Sequence, residues 1–398
     1  MSNLSHPVSV LSVARTFVPL LLGLILAAIL LVWGSAGEKT DFGVLAFGDE
    51  TALVYGQVNR EPIHCCDMHE LQPCLDGWRS RGGKPVVLWL GNSQLHGLNQ
   101  AKVGQQVAPE LLYPVVDAAG LDVLSVSPCN GAPQEHYVIL EHMLGKVPLN
   151  AVVVEICFDD FRELGLRDNI REVALADEAT CGGLGETGVG RALLEQYSES
   201  GDEFEGELAG LSGTVQKRVE SAFNQTLDEN FSLWDCRAEA RGRIRVGLIR
   251  IRNTIFGITP QTTRKMLRPR YISNLAALRT LAQRAKARDI EVLFYVAPIR
   301  DDVALPYDED EYLAFKDDLA SLANETDARL ENLESLVPAQ HWGTKDNTTL
   351  NAESELDFMH FQHGGHRLLA REVGQLLDEL GCAVAPVTVA SRSKADQR

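Results

Sequence analysis

The chain has 398 residues, 45% hydrophobic and 23% charged, a globular make-up that excludes disordered and collagen-like classes. Its net charge of −18, from 37 Lys+Arg against 55 Asp+Glu, argues against nucleic acid as the main partner, because phosphate binding needs a positive footprint. Eight cysteines are too few for a disulfide-built scaffold, so the fold must rest on an apolar core.

From Thr16 to Gly37 no residue is charged, and Phe17 to Trp33 reads FVPLLLGLILAAILLVW. As a helix this stretch would be about 33 Å long, enough to cross a hydrocarbon core of about 30 Å. Residues 16–37 are therefore expected to form a transmembrane signal anchor. Gly34-Ser35-Ala36 keeps a cleaved signal as the alternative. Arg15 precedes the run, whereas Glu38, Asp41, Asp49 and Glu50 follow it with only Lys39 in opposition. The positive-inside rule then leaves residues 1–15 in the cytoplasm and the remainder extracytoplasmic, periplasmic or on the outer face. That compartment permits disulfides. Cys65, Cys66 and Cys74 are close enough to bridge locally, while Cys181 and Cys236 flank a long insertion that they could close. His64-Cys65-Cys66 with His69 lacks a C-x-x-C pair, so the spacing favours a disulfide over a metal.

Beyond an extension over 38–84, strands alternate with helices. Val86–Leu90 (VVLWL) reads as a strand buried on both faces, ended by Gly91-Asn92-Ser93. A helix is expected over 103–113, where Pro114 would stop or kink it, and a strand over 121–126. A helix over 134–144 and a strand over 151–156 follow. After an interruption come a helix over 273–289, a strand over 290–297, a helix over 311–329 and a closing helix over 365–380. This alternation predicts an α/β fold, a parallel sheet covered on both faces, with ligands beyond the carboxyl ends of its strands. The interruption, 165–270, reads as a large, mostly helical insertion. Between Arg237 and Arg270 it holds ten Lys/Arg against one acid, Glu239, a stretch that is either a solvated face or a contact for anionic headgroups or polymer.

Leu90-Gly91-Asn92-Ser93-Gln94 would expose Ser93 at the sheet's carboxyl edge, at the amino end of the next helix. There, free backbone N–H groups and a positive dipole can meet a developing oxyanion. A serine hydroxyl needs a neighbouring base, and Asp357-Phe358-Met359-His360 supplies one, an Asp placed to hold one imidazole nitrogen while the other faces the serine. Lying on one loop before the closing helix, this pair can converge with Ser93 on one rim.

These features resemble the SGNH (GDSL-type) hydrolase and acyltransferase superfamily. Gly91-Asn92-Ser93-Gln94 is similar to its first block, with Asn92 where Asp is usual, and Ser127-Pro128-Cys129-Asn130-Gly131-Ala132 is similar to its second. The third block, Gly-x-Asn-Asp, falls on Cys157-Phe158-Asp159-Asp160, and Asp357 with His360 matches the fifth, D-x-x-H. The resemblance implies a three-layer, flavodoxin-like SGNH domain over 85–384 and a flexible tail over 385–398. It implies Ser93 as nucleophile, His360 as base, Asp357 as its orienting acid, and an oxyanion hole from Ser93, Gly131 and position 159. An ionised Asp159 cannot donate a hydrogen bond, so Asp159 is protonated, another group substitutes, or the hole is weaker.

With an amino-terminal anchor, the chain resembles the membrane-bound O-acetylation proteins of exported polysaccharides and the D-alanine transfer proteins of teichoic acid synthesis. That likeness implies a serine esterase or O-acyltransferase acting on acyl esters of a cell-envelope glycan, beside a membrane-bound O-acyltransferase. The alternative is a catalytically silent ectodomain serving as an assembly or binding partner, which the Asp159 departure favours. No cofactor is implied. Asp357, His360, His363 and His366 recur every three residues, but helical metal pairs prefer a spacing of four and Gly364-Gly365 interrupts the run, so no metal site is assigned. His96 reads as a helical surface histidine, with an approach to the site as the alternative, and Arg300, after a strand, as either a loop charge or a contact for an anionic substrate.

Overall fold

The computed structural model describes residues 50–197, 237–351 and 353–382, with eight single residues between 18 and 32. Two compact units divide the chain: Glu50–Asp202, Thr259–Asn347 and Ala352–Arg398 form the larger, and Met1–Asp49, Glu203–Ile258 and Thr348–Asn351 the smaller.

Six strands of the larger unit make one parallel sheet: β1 (His64–Cys65), β2 (Val86–Leu90), β3 (Asp122–Val126), β4 (Leu149–Ile156), β5 (Glu291–Val296) and β6 (Arg329–Asn332). Their order is β6-β5-β4-β2-β3-β1. Setting aside the edge strand β1, this is the flavodoxin-like order, and its direction reverses between β2 and β4, where such sheets place their ligands. An antiparallel hairpin, β7 (Trp342–Lys345) with β8 (Glu355–Phe361), stands apart from the sheet. Among the described residues the main α-helices are α1 (Leu71–Ser80), α2 (Ala108–Ala118), α3 (Pro133–Leu144), α4 (Asp168–Ala174), α5 (Glu178–Gly185), α6 (Arg237–Phe256), α7 (Arg268–Lys286), α8 (Glu309–Thr326) and α9 (His363–Glu379).

Strand pleating builds the layers. All five residues of β2 are buried. Val86, Leu88 and Leu90 point into one apolar core with Tyr137 and Leu140 of α3, Leu278 of α7 and Phe315 of α8. Val87 and Trp89 point into a second core with Leu112 and Val116 of α2 and Leu369 and Val373 of α9. Helices therefore cover both faces, giving the expected three layers.

Three sequence expectations change, and the expected local disulfide falls on one pair. Pro114 lies inside α2 rather than ending it. Leu112 and Val116, on either side of it, are fully buried, so packing on the sheet outweighs one missing helical N–H. The extension 38–84 contributes β1, which pairs His64 with Ser125 and Cys65 with Val126. A Cys65–Cys74 disulfide ties this strand to α1, which leaves Cys66 free and takes Cys65 away from any metal. Finally, α7 begins at Arg268, so the end of the 165–270 insertion belongs to a helix of the larger unit.

Within that insertion α4, α5 and α6 are helical, and residues 198–236, Cys236 included, lie outside the described residues. In the smaller unit, Asn253 Nδ2 on α6 donates to the Thr348 carbonyl at 2.9 Å. Among the described residues no helix is long and apolar enough to cross a membrane. The expected anchor over 16–37 lies outside them except for its eight single residues, as do the tails 1–15 and 385–398.

Candidate active site

The site starts where β2 ends. Gly91 and Asn92 turn the chain into a single 3-10 turn, Ser93–Leu95. A side chain at position 91 has no room, since a Cβ there would stand 2.4 Å from Glu155 Oε2. Asn92 pins this turn across the switch point. Its Oδ1 accepts the Gln94 N–H at 2.8 Å, and its Nδ2 donates to Asp160 Oδ2 at 2.8 Å and Cys157 Sγ at 3.1 Å, both just beyond β4. The Asn92 N–H donates to Glu155 Oε2 at 3.1 Å. Burial pushes the Glu155 carboxyl up to about 8 and Asp160 well above the carboxylate range, so both acids can sit beneath the turn without a buried charge.

Asp357 and His360 lie on β8, not on a loop. Residues three apart on a regular strand face opposite ways. Here Trp342 pairs with Phe361 and Thr344 with Leu356, so residues 357–360 bulge opposite Gly343 alone. The bulge curls back on Asp357, whose Oδ1 accepts the N–H of Met359 at 2.8 Å and of His360 at 3.1 Å. Both side chains thereby face one another.

The structure brings the three residues together. Ser93 Oγ is 3.0 Å from His360 Nε2, and His360 Nδ1 is 3.1 Å from Asp357 Oδ2. Burial raises the Asp357 carboxyl, but the adjoining His360, Lys345 and the Met359 amide outweigh it and hold the group well below the carboxylate range. An ionised Asp357 only accepts, so Nδ1 of His360 carries the hydrogen and Nε2 is left to accept from the serine hydroxyl. Ser93 is 7% exposed, buried up to its hydroxyl.

Gly131 backs onto the same turn. A Cβ there would meet the Gly91 carbonyl oxygen at 2.9 Å and His136 Nε2 at 2.8 Å. Its loop is held from outside by Arg167, which donates to the carbonyls of Cys129 at 2.7 Å and Asn130 at 3.0 Å while paired to the buried Glu135 at 2.8 Å. Among the described residues no acceptor takes the N–H of Ser93 or Gly131.

Two expected contacts are redirected. Asp159 is an acceptor: Arg264 pairs with it, Arg162 donates at 3.2 Å and Tyr307 at 3.1 Å. Its carboxylate is held for cations and cannot serve as an oxyanion donor. Arg300 does not wait for an anionic substrate. It is 7% exposed, forks onto Asp302 at 2.6 and 3.0 Å, and donates to the Gly343 carbonyl at 2.8 Å, tying the loop after β5 to the hairpin. His96 is fully buried rather than on a helix surface, because the 3-10 turn stops at Leu95 and a short strand, Gly97–Asn99, follows. Its Nδ1 lies 3.0 Å from Ser127 Oγ, which also lies 2.5 Å from His64 Nε2. His363 and His366 start α9, where His363 Nδ1 meets the Gln106 carbonyl at 2.9 Å and His366 Nδ1 accepts the Ala108 N–H at 3.2 Å. Among the described residues no three His, Cys, Asp or Glu side chains are disposed to hold a metal.

Sequence reasoning passed over Arg167, Gln94 and Asn99. Asn99 Nδ2 lies 3.3 Å from Asp357 Oδ2 and donates to the Thr344 carbonyl at 2.8 Å, so it backs the acid from the hairpin side. No spacing marks their roles, because each reaches, at least in part, a backbone carbonyl that any residue supplies.

No protein-family model and no curated protein matches the chain. Solved structures similar to it include three variants of Axe2, an acetyl-xylooligosaccharide or acetylxylan esterase of Geobacillus stearothermophilus. Each is 12% identical, covering 75% of this chain and 94–95% of its own, with TM-scores of 0.32–0.33. A superposition this loose carries no activity across.

Proposed function

We propose that the chain is a serine-dependent esterase or O-acyltransferase of the SGNH type, acting on acyl esters of a cell-envelope polysaccharide. The observation supporting the chemistry is the unbroken line Ser93 Oγ, His360, Asp357 at 3.0 and 3.1 Å. Ser93 Oγ attacks the acyl carbonyl as His360 Nε2 takes its proton. Asp357 keeps the imidazole in the right tautomer and stabilises the cation that forms. The N–H groups of Ser93 and Gly131 receive the oxyanion. Collapse expels the alcohol, which regains its proton from His360 and leaves an acyl-serine. Water or a sugar hydroxyl, deprotonated by His360, then takes the acyl group. The glycan substrate and a membrane-bound O-acyltransferase partner rest on the sequence resemblance, and the membrane anchor over 16–37 on its uncharged apolar run.

Labelling with a serine-reactive fluorophosphonate tests the chemistry. Wild type should label and hydrolyse a small aryl ester, Ser93→Ala should do neither, and Asp357→Asn should lose about 10³–10⁴-fold in kcat. Equal labelling of wild type and Ser93→Ala would sink the assignment. Asp159 as an acceptor leaves the hole short of one donor and favours the silent-ectodomain reading, for which an unlabelled wild type would speak.

A further inference from the structure

We infer that Gln94 is a positioning residue that sets the distance between Ser93 and His360; this rests on the serine-esterase reading. Gln94 directly follows Ser93 and is fully buried. Its Nε2 donates to the Met359 carbonyl at 2.9 Å and to the Pro298 carbonyl at 2.9 Å. Met359 directly precedes His360, and Pro298 lies in the loop after β5. One amide therefore joins the neighbour of the hydroxyl to the neighbour of the imidazole, and fixes both to the sheet's carboxyl edge.

The orientation of that amide is not arbitrary. Both partners are carbonyl oxygens, which only accept, so the nitrogen must face them. Its Oε1 points into protein without a partner among the described residues. The bond holds β8 at its bulge, where residues 357–360 stand opposite Gly343 in a shifted register. Without the Gln94 donor, the carbonyl of Met359 would lose this bond, and the imidazole beside it could drift. A misplacement of about 1 Å at a reacting pair costs about 100-fold in rate.

The experiment compares wild type with Gln94→Met, of similar length but without a donor, and Gln94→Glu, whose carboxyl can donate only when protonated. A small aryl ester is the substrate, and fluorophosphonate labelling of wild type verifies the nucleophile. The expected result for Gln94→Met is a kcat about 10–100-fold lower with KM within about threefold, at a near-UV circular dichroism matching wild type. For Gln94→Glu, the ratio of its kcat/KM to that of wild type should rise as pH falls, since protonation restores one donor. A folded Gln94→Met with wild-type kcat overturns the inference. So does a Gln94→Glu ratio that stays flat with pH, which decides the matter even if Gln94→Met fails to fold. A wild type that neither labels nor hydrolyses overturns the underlying esterase reading instead.

Discussion

The imidazole of His360 rests against the backbone of Gly97, close enough that a Cβ at position 97 would stand 2.4 Å from its Cδ2 and 2.8 Å from the Ser93 carbonyl oxygen. Contacts under 3 Å to two elements of one site cannot both relax for free. Gly97→Ala should therefore displace the ring from Ser93, lowering kcat by about 100-fold and stability by about 1–3 kcal/mol. Wild-type turnover in ester hydrolysis, with an unchanged melting temperature, would refute the packing argument.

Arg167 acts on the other side of the reaction. It stabilises nothing in the reacting group directly, but it holds the carbonyls of Cys129 and Asn130 and so presents the Gly131 amide. Deleting a donor outright costs about 10²–10³ in kcat. Arg167→Ala leaves the donor and loosens it, so we expect a smaller loss of about tenfold, read in kcat with KM nearly constant. A loss confined to KM would place Arg167 in substrate binding.

Acid should weaken the fold before it protonates any ordinary carboxylate. Burial pushes His64 and His366 down to about 3, His136 to about 4 and His96 well below the usual imidazole value. The unfolded chain binds a proton at each near pH 6.5, while the folded chain stays neutral there. Stability must then fall as pH drops from about 6.5 toward 4, by up to about 1.4 kcal/mol per pH unit for each histidine. Glu155 has the opposite sign: with its folded value raised to about 8, it removes stability as pH rises from about 4.5 to 8. Urea midpoints from pH 4 to 9 should trace a maximum near pH 6–7, and Glu155→Gln should lessen the loss with rising pH between about 4.5 and 8, leaving the share of Asp160, which burial raises in the same sense. A monotonic curve would contradict both burials.

The Cys65–Cys74 link closes a loop with a sequence separation of 9 at the edge of the sheet. A loop of that size is worth roughly 2–3 kcal/mol through the unfolded chain. Reductant should lower the unfolding free energy of wild type, read from urea titration, by that amount and leave the Cys65→Ala/Cys74→Ala double variant where it stands. A common shift in both proteins would mean that the bond is not the source.

How much of this was legible beforehand depends on where the information lay. The continuous run Val86–Leu90 and the apolar periodicity of residues 365–380 announced a buried strand and a closing helix, because burial on two faces or along one stripe writes itself into composition. The two-residue strand His64–Cys65 and the polar hairpin around Gly343 had no period to read. Serine, histidine and aspartate could be nominated by motif, but their approach needed the β8 bulge, a register irregularity with no compositional trace. Arg300 and Asp159 could not be placed from sequence for a shared reason. A charge at the end of a strand looks available until its partner, Asp302 or Arg264, is placed beside it.

Ser93 and His360 are 267 residues apart along the chain. A ribosome delivering the polypeptide from its amino end releases the hydroxyl 267 residues before the imidazole. A nascent or truncated form that ends between β6 and the hairpin would carry all six strands of the central sheet and lack His360, so the three side chains can meet only once the hairpin has followed.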